Sequence, residues 1–269
     1  MRSHLHLALL LIWPFRYCAS AAEYQDELIV GYCRNSPQLI ALSDDRMVFR
    51  FDGFIERKLN IGTLDGLRDS GYFVVRSPGG YFESAGPIAD VLRKKKAKVV
   101  IYDYCLSACA NYFFVASGET RVSGKAIVAW HGEPPMPNCP NCPYPRRSPE
   151  TSIRPERPPT KKDAPPDEYL NEICRLNDVR NEFFSKREID SRFIFEPQSP
   201  YTKKMAGVIG QGMGYLDRSV FWMWNPRYYA SYFKSIKITY RSYPADELEV
   251  DEMLQRWQIS SSIRMIYDP

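Results

Sequence analysis

Histidine is nearly missing from this chain: it occurs three times in 269 residues. Two of the three, His4 and His6, fall in a leader-like N-terminus. If the protein uses imidazole chemistry, His131 must carry it. Long apolar runs are also missing. No segment supplies about 18 uninterrupted apolar residues, so no membrane-spanning helix is expected. Charge of one sign is sparse, with 36 basic against 32 acidic residues and a formal net charge of +4. The densest block, Lys94 to Lys96, reads as a solvated helix end, and nothing points to nucleic acid. There is no internal repeat. What remains, 44% hydrophobic residues and 25% charged, is enough for a substantial core and one or two domains.

Residues 1–22 are set apart from the fold. "MRSH" carries positive charge, "LALLLIW" is a short apolar run and "CASAA" ends in small residues. This is the pattern of a cleaved secretory signal, with cleavage near Ala21 or Ala22. The expected location is periplasmic or secreted, with no stable membrane anchor after cleavage. Arg2 and Arg16 leave and no acid does, so +4 becomes +2. Cys18 leaves as well, and six cysteines stay: Cys33, Cys105, Cys109, Cys139, Cys142 and Cys174. An even number in an exported chain favours disulfides, with 15 connectivities open for three bridges.

Residues 47–132 alternate strands with helices. "MVFRFDGFI" is strand-like, "GTLDGLRD" a short helical turn, and "YFVV" a strand ending at "RSPGG". Ser84 is placed to cap a helix running to about Lys95, with Pro87 in its first turn, where proline is tolerated. Phe82, Ala85, Ala89 and Leu92 share one face of it. "KVVIY" is the next strand and feeds "YCLSACANYFF", read as a buried helix. "AIVAW" is a strand ending at His131. The alternation predicts a parallel sheet with crossover connections.

Residues 133–166 break the pattern with 12 of the 21 prolines and read as an insertion without regular structure. A helix is expected over 167–188, with Tyr169, Ile173, Leu176 and Phe183 as its apolar stripe. The remainder, 167–269, belongs to the same domain as 23–132. It carries a strand at "KITY" and a last helix around 247–257. The aromatic stretch "VFWMWNPRYYASYF" reads as a hydrophobic layer closing over the sheet.

Three features follow one another in order. "SPGG", residues 77–80, lies between a buried strand and a helix. Its glycines permit unusual backbone and close approach, and their amides can face an anion. Ser107 follows a strand and opens an apolar helix. There it sits beside free amides and the positive end of a helix dipole. The Ala108 amide can pair with that of Gly79 or Gly80 to hold a developing oxyanion, each donor contributing about 3 kcal/mol. His131 ends a strand 24 residues on. To act as base it must come within roughly 2.6–3.2 Å of Ser107.

"VVRSPGGYFESAGPIADVL" and "CLSACANYFFVASGETRVSGKAIVAWHG" resemble the Clp protease proteolytic subunit and the wider Clp/crotonase superfamily. The likeness covers about residues 48–132 and is nearer to exported, cysteine-containing bacterial relatives than to the Clp subunit. It implies an α/β fold, a spiral of β-β-α units. It also implies Ser107 as nucleophile, His131 as general base, and Gly80 with Ala108 as oxyanion donors. Cys105 and Leu106 stand where the family has small residues, including glycine or alanine. For the acidic third member Asp178, Asp190 and Asp217 are candidates, Asp190 preferred because it follows the long helix. Members of the superfamily assemble into rings or dimers, so a homo-oligomer is an expectation here.

The reading is an exported serine hydrolase of the peptidase type, with a peptide or protein substrate and neither cofactor nor metal. The rival is a non-catalytic, disulfide-braced periplasmic binding or scaffold protein; acyl-CoA chemistry ranks last, because an exported protein rarely meets CoA. Cys109 as nucleophile ranks below Ser107, since cysteines pair in an oxidising compartment. Cys105 and Cys109 can bond each other only where the helix has not yet begun. "NCPNC" has CxxC spacing, but zinc lacks further ligands and the prolines are wrong for a redox helix, so a structural disulfide is preferred. Lys125 is a minor alternative base.

Overall fold

The computed structural model describes residues 39–131, 175, 178–190, 220–259 and 263–269. The leader, the 133–166 insertion, Asp217, and Cys33, Cys139, Cys142 and Cys174 lie outside these residues. Among the described residues nine strands form one mixed sheet: β1 (Leu39–Ala41), β2 (Val48–Asp52), β3 (Tyr72–Ser77), β4 (Lys98–Leu106), β5 (Glu119–Val122), β6 (Ile127–Trp130), β7 (Val220–Met223), β8 (Lys237–Tyr240) and β9 (Arg264–Tyr267). The helices that matter to the site are α1 (Phe82–Lys94), the single π-helical turn α2 (Cys109–Phe113), α3 (178–185) and α4 (Glu247–Arg256).

The main path runs β1-β2-β3-β4-β6-β7-β9, with β5 pairing β4 and β8 pairing β5. β2, β3 and β4 are parallel, as the alternation predicts. Their apolar, β-branched and aromatic sequences suit strands covered on both faces. One face carries Phe49, Phe51, Phe73, Val75, Val99 and Ile101 into the main core, and the other carries Val48, Tyr72, Val74, Val100 and Tyr102. The sheet is not wholly parallel: β1 pairs β2 antiparallel and β6 pairs β7 antiparallel. α4 lays Val250, Met253 and Leu254 against Phe221, Met223 and Tyr267 of the far strands. Among the described residues no helix is long and apolar enough to cross a membrane.

α1 differs from the sequence reading at its start. It begins at Phe82 behind an extended Tyr81, with no side-chain cap. Ser84 lies inside the helix, and its hydroxyl donates to the Arg57 carbonyl (2.9 Å) instead. Pro87 therefore sits past the first turn, where it removes one helical hydrogen bond. Burial of Ala85, Ile88, Ala89 and Leu92 outweighs that loss, since a large aliphatic side chain gains about 1.5–3 kcal/mol on burial. The 3-10 turn Ile61–Gly66, "KITY" and α4 fall where the sequence puts them.

β4 is the strand on which the sheet divides. Lys98–Ile101 pairs β5, and Tyr104–Leu106 pairs β6. Between them Asp103 has φ of +54°, and the register with β3 slips between Val75 and Ser77. The irregularity re-aims the strand. It is held by a charged cluster. Arg76 donates to Asp52 (2.7 Å) and to Asp103 (3.1 Å), the fully buried Arg50 pairs with Asp52, and Arg50 donates to the Tyr102 hydroxyl (2.9 Å). Burial pushes the Tyr102 phenol above its ordinary value, so it stays neutral between the two guanidinium groups. Asp52→Ala removes the carboxylate that Arg50 and Arg76 share. Urea denaturation should show a loss of about 3 kcal/mol, and a loss below about 1 kcal/mol would mean that solvent already reaches the cluster.

Candidate active site

Parallel strands carry their C-terminal ends to one edge of a sheet, and two of them build this site. β4 and β6 pair with Leu106 opposite Ala129. The next residues, Ser107 and, two further on, His131, leave the sheet side by side. The Ser107 amide donates to the Ala129 carbonyl (3.1 Å), which ties the turn to the neighbouring strand. Ser107 Oγ lies 2.6 Å from His131 Nε2. Both residues are half-buried. Phe221, arriving on β7, meets the His131 ring nearly edge-on with centroids 4.8 Å apart and limits its tilt.

"YCLSACANYFF" is not one helix. Tyr104–Leu106 completes β4, Ser107 turns the chain, and α2 follows. Ser107 has φ of +54°, a left-handed conformation that costs a non-glycine residue about 1–2 kcal/mol. Its carbonyl then accepts the Asn111 amide (2.8 Å). The reversal brings the Cys105 and Cys109 Cα atoms to 5.2 Å, and the two are disulfide-bonded. Cys105 still belongs to the strand, so the helix has not begun there. Both cysteines are fully buried, and Cys109 is thereby unavailable as a thiolate.

The Gly-Gly turn stands against the same corner. A Cβ on Gly79 (φ +97°) would lie 2.6 Å from Ser107 Cβ and 3.0 Å from the Ala108 amide nitrogen. Only glycine lets this backbone approach the serine so closely. The Gly79 amide donates to Ser77 Oγ (3.0 Å) and is not open to a ligand. Gly80 (φ +142°) makes an isolated parallel bridge with Ile55. There Ile55 donates to the Gly79 carbonyl and Tyr81 donates to the Ile55 carbonyl, both at 2.8 Å. In that pattern the Gly80 N–H points away from Ile55. A Cβ on Gly80 would overlap the Ile55 carbonyl. The Ala108 amide belongs to the first turn of a helix, whose amides lack intrahelical acceptors.

Ser107 and His131 thus meet, with Gly79 against Ser107 and Ala108 and with Gly80 following it in the turn beside Ile55. Asp190 lies half-buried at the end of the segment 178–190, behind the buried Ile189. Asp178 is exposed on α3. Lys125, in the turn before β6, is ion-paired with Glu249 of α4, which engages the alternative base elsewhere. Among the described residues no three His, Cys, Asp or Glu side chains are grouped to hold a metal ion. Two contributors escape sequence reasoning. Ser77 stands in "SPGG" but is not marked there for a hydroxyl that holds the Gly79 amide, and Phe221, in the aromatic stretch read as a closing layer, is not marked for contact with the histidine.

Gly79→Ala forces a side chain into the Ser107 turn at a positive φ. It should cost about 3 kcal/mol in urea denaturation; a loss under about 1 kcal/mol would show that the turn moves freely. No protein-family model matches this chain and no curated protein is significantly similar to it.

Proposed function

We propose that this chain is an exported serine hydrolase, of the peptidase type, working by acyl transfer. The observation that carries the reading is the 2.6 Å contact between Ser107 Oγ and His131 Nε2, made by the lone histidine of the mature sequence. That distance is within reach for proton transfer. Ser107 attacks the substrate carbonyl as Nε2 takes the hydroxyl proton. The Gly80 and Ala108 amides hold the oxyanion, while Gly79 supplies close approach and leaves the donor role to Gly80. The proton passes from His131 to the leaving amine. Water, deprotonated in turn by His131, then releases the acyl group and restores Ser107.

Parallel β2, β3 and β4 with α1 as a crossover support a Clp/crotonase-like spiral at the finer level. The Cys105–Cys109 bond supports an oxidising location such as the periplasm. Asp190 is proposed to hold His131 Nδ1. Its segment packs Phe183 and Phe184 on Tyr112 of α2, with ring centroids at 5.0 and 5.8 Å, and so runs beside the helix that follows Ser107. The second reading, a non-catalytic scaffold, has the 2.6 Å contact against it.

A fluorophosphonate probe should label the purified mature protein at Ser107, read by peptide mass spectrometry. Ser107→Ala should abolish labelling, and His131→Ala should slow it by about a thousandfold. Labelling that persists in Ser107→Ala would sink the assignment. Asp190→Asn should slow labelling at least about tenfold by releasing the imidazole orientation. An unchanged rate removes Asp190 from the site without touching the other two residues.

A further inference from the structure

We propose that the Cys105–Cys109 disulfide is a positioning device for Ser107, so that the site is competent only when the pair is oxidised. The inference rests on the hydrolase reading above. The bond encloses only Leu106, Ser107 and Ala108, and these carry the nucleophile and one of its oxyanion amides. Cys105 is fixed in β4 opposite Ser77, the residue whose hydroxyl holds the Gly79 amide. Cys109 opens α2. The covalent link therefore ties the strand end, the glycine turn and the helix start into one unit around a single residue.

That residue needs such help. Ser107 is held at φ +54°, where a side chain other than glycine's is disfavoured. Two backbone hydrogen bonds constrain it, its amide to Ala129 and its carbonyl from Asn111. One ties Ser107 to β6 and the other ties it to α2, but neither joins the end of β4 to α2 as the sulfur bridge does. Without the sulfur bridge, Ser107 can relax toward ordinary φ, which rotates Cα–Cβ and carries Oγ out of reach of Nε2. The facing glycine turn stands close, since a Cβ on Gly79 would lie 2.6 Å from Ser107 Cβ. A displacement of about an ångström at a reacting atom is enough to slow chemistry a hundredfold. Both cysteines are fully buried, so the bond resists exchange with small thiols until the corner opens. It acts as a fixed brace rather than a rapid switch.

The test compares oxidised wild type with Cys105→Ala/Cys109→Ala, using fluorophosphonate labelling at Ser107 over a range of probe concentrations. Positioning predicts a maximal labelling rate lower by tenfold or more, with half-saturating probe concentration unchanged, at temperatures where both proteins are folded by circular dichroism. A brace important only to the fold would shift the melting midpoint and leave the maximal rate within twofold, which would overturn the proposal. If the alanine pair does not fold, wild type reduced by a water-soluble phosphine replaces it. The disulfide gains two electrons and two protons to give two thiols, and the phosphine becomes its oxide with oxygen from water. Mass spectrometry confirms both thiols, the same rate criterion applies, and reoxidation should restore labelling. Failure of oxidised wild type to label at Ser107 rejects the hydrolase reading itself; equal rates with and without the bond reject only the brace.

Discussion

The structure turns on one pairing, that of the end of β4 with β6. Leu106 opposite Ala129 sets the height at which the two chains leave the sheet. Everything at the candidate site follows from that height: the Ser107 amide on Ala129, the turn at Ser107, and His131 within hydrogen-bond distance. A shift of one residue would exchange the faces of β4. It would bury the serine hydroxyl or aim it away from the ring. Both cores oppose such a shift, because Ile101 and Cys105 face one and Tyr102 the other.

That register is not the one β4 begins with. Its first half answers to β5 and its second half to β6, and the irregularity between them puts Asp103 at φ +54°. Arg50, Asp52, Arg76 and Asp103 hold the bend with charge-assisted hydrogen bonds. Burying such a cluster gains little net stability over apolar packing. Its use is to fix one geometry, and that geometry is handed along β4 to Ser107. The strain at Asp103 within β4 and the strain at Ser107 just past its end lie four residues apart, and both are imposed by neighbours rather than chosen locally.

Much of this was legible in the sequence, for physical reasons that differ by element. β2 to β4 are rich in β-branched and aromatic residues and are bounded by glycine and charge, and that composition marks them. "KITY" stands out by its β-branched residues. Ser107 and His131 could be singled out because histidine is scarce and the glycine turn precedes a serine at a strand end. The helix reading of "YCLSACANYFF" failed because small apolar residues suit a buried strand as well as a buried helix. Tertiary pairing with β6 decided for strand up to Leu106. Ser84 looked like a cap, but Arg57 offered its hydroxyl a carbonyl acceptor that no local pattern reveals. Phe221 and the antiparallel β7 depend on chain folding back from far downstream, which spacing does not encode.

The disulfide illustrates how a weak global contribution can carry a strong local one. Closing a loop this short removes little freedom from the unfolded chain, worth about 2 kcal/mol. Holding Ser107 in left-handed backbone costs about 1–2 kcal/mol, so the two nearly offset and the fold as a whole gains little. What the bond changes is the set of conformations open to three residues. Hydrogen bonds from the Ser107 amide to Ala129 and from the Asn111 amide to the Ser107 carbonyl hold the peptide groups on either side of Ser107. The covalent tie adds a further constraint, from strand to helix, across the residue that carries the hydroxyl. The same reasoning explains why glycine must stand at residue 79: once the turn cannot yield, the facing backbone has to be the one without a side chain.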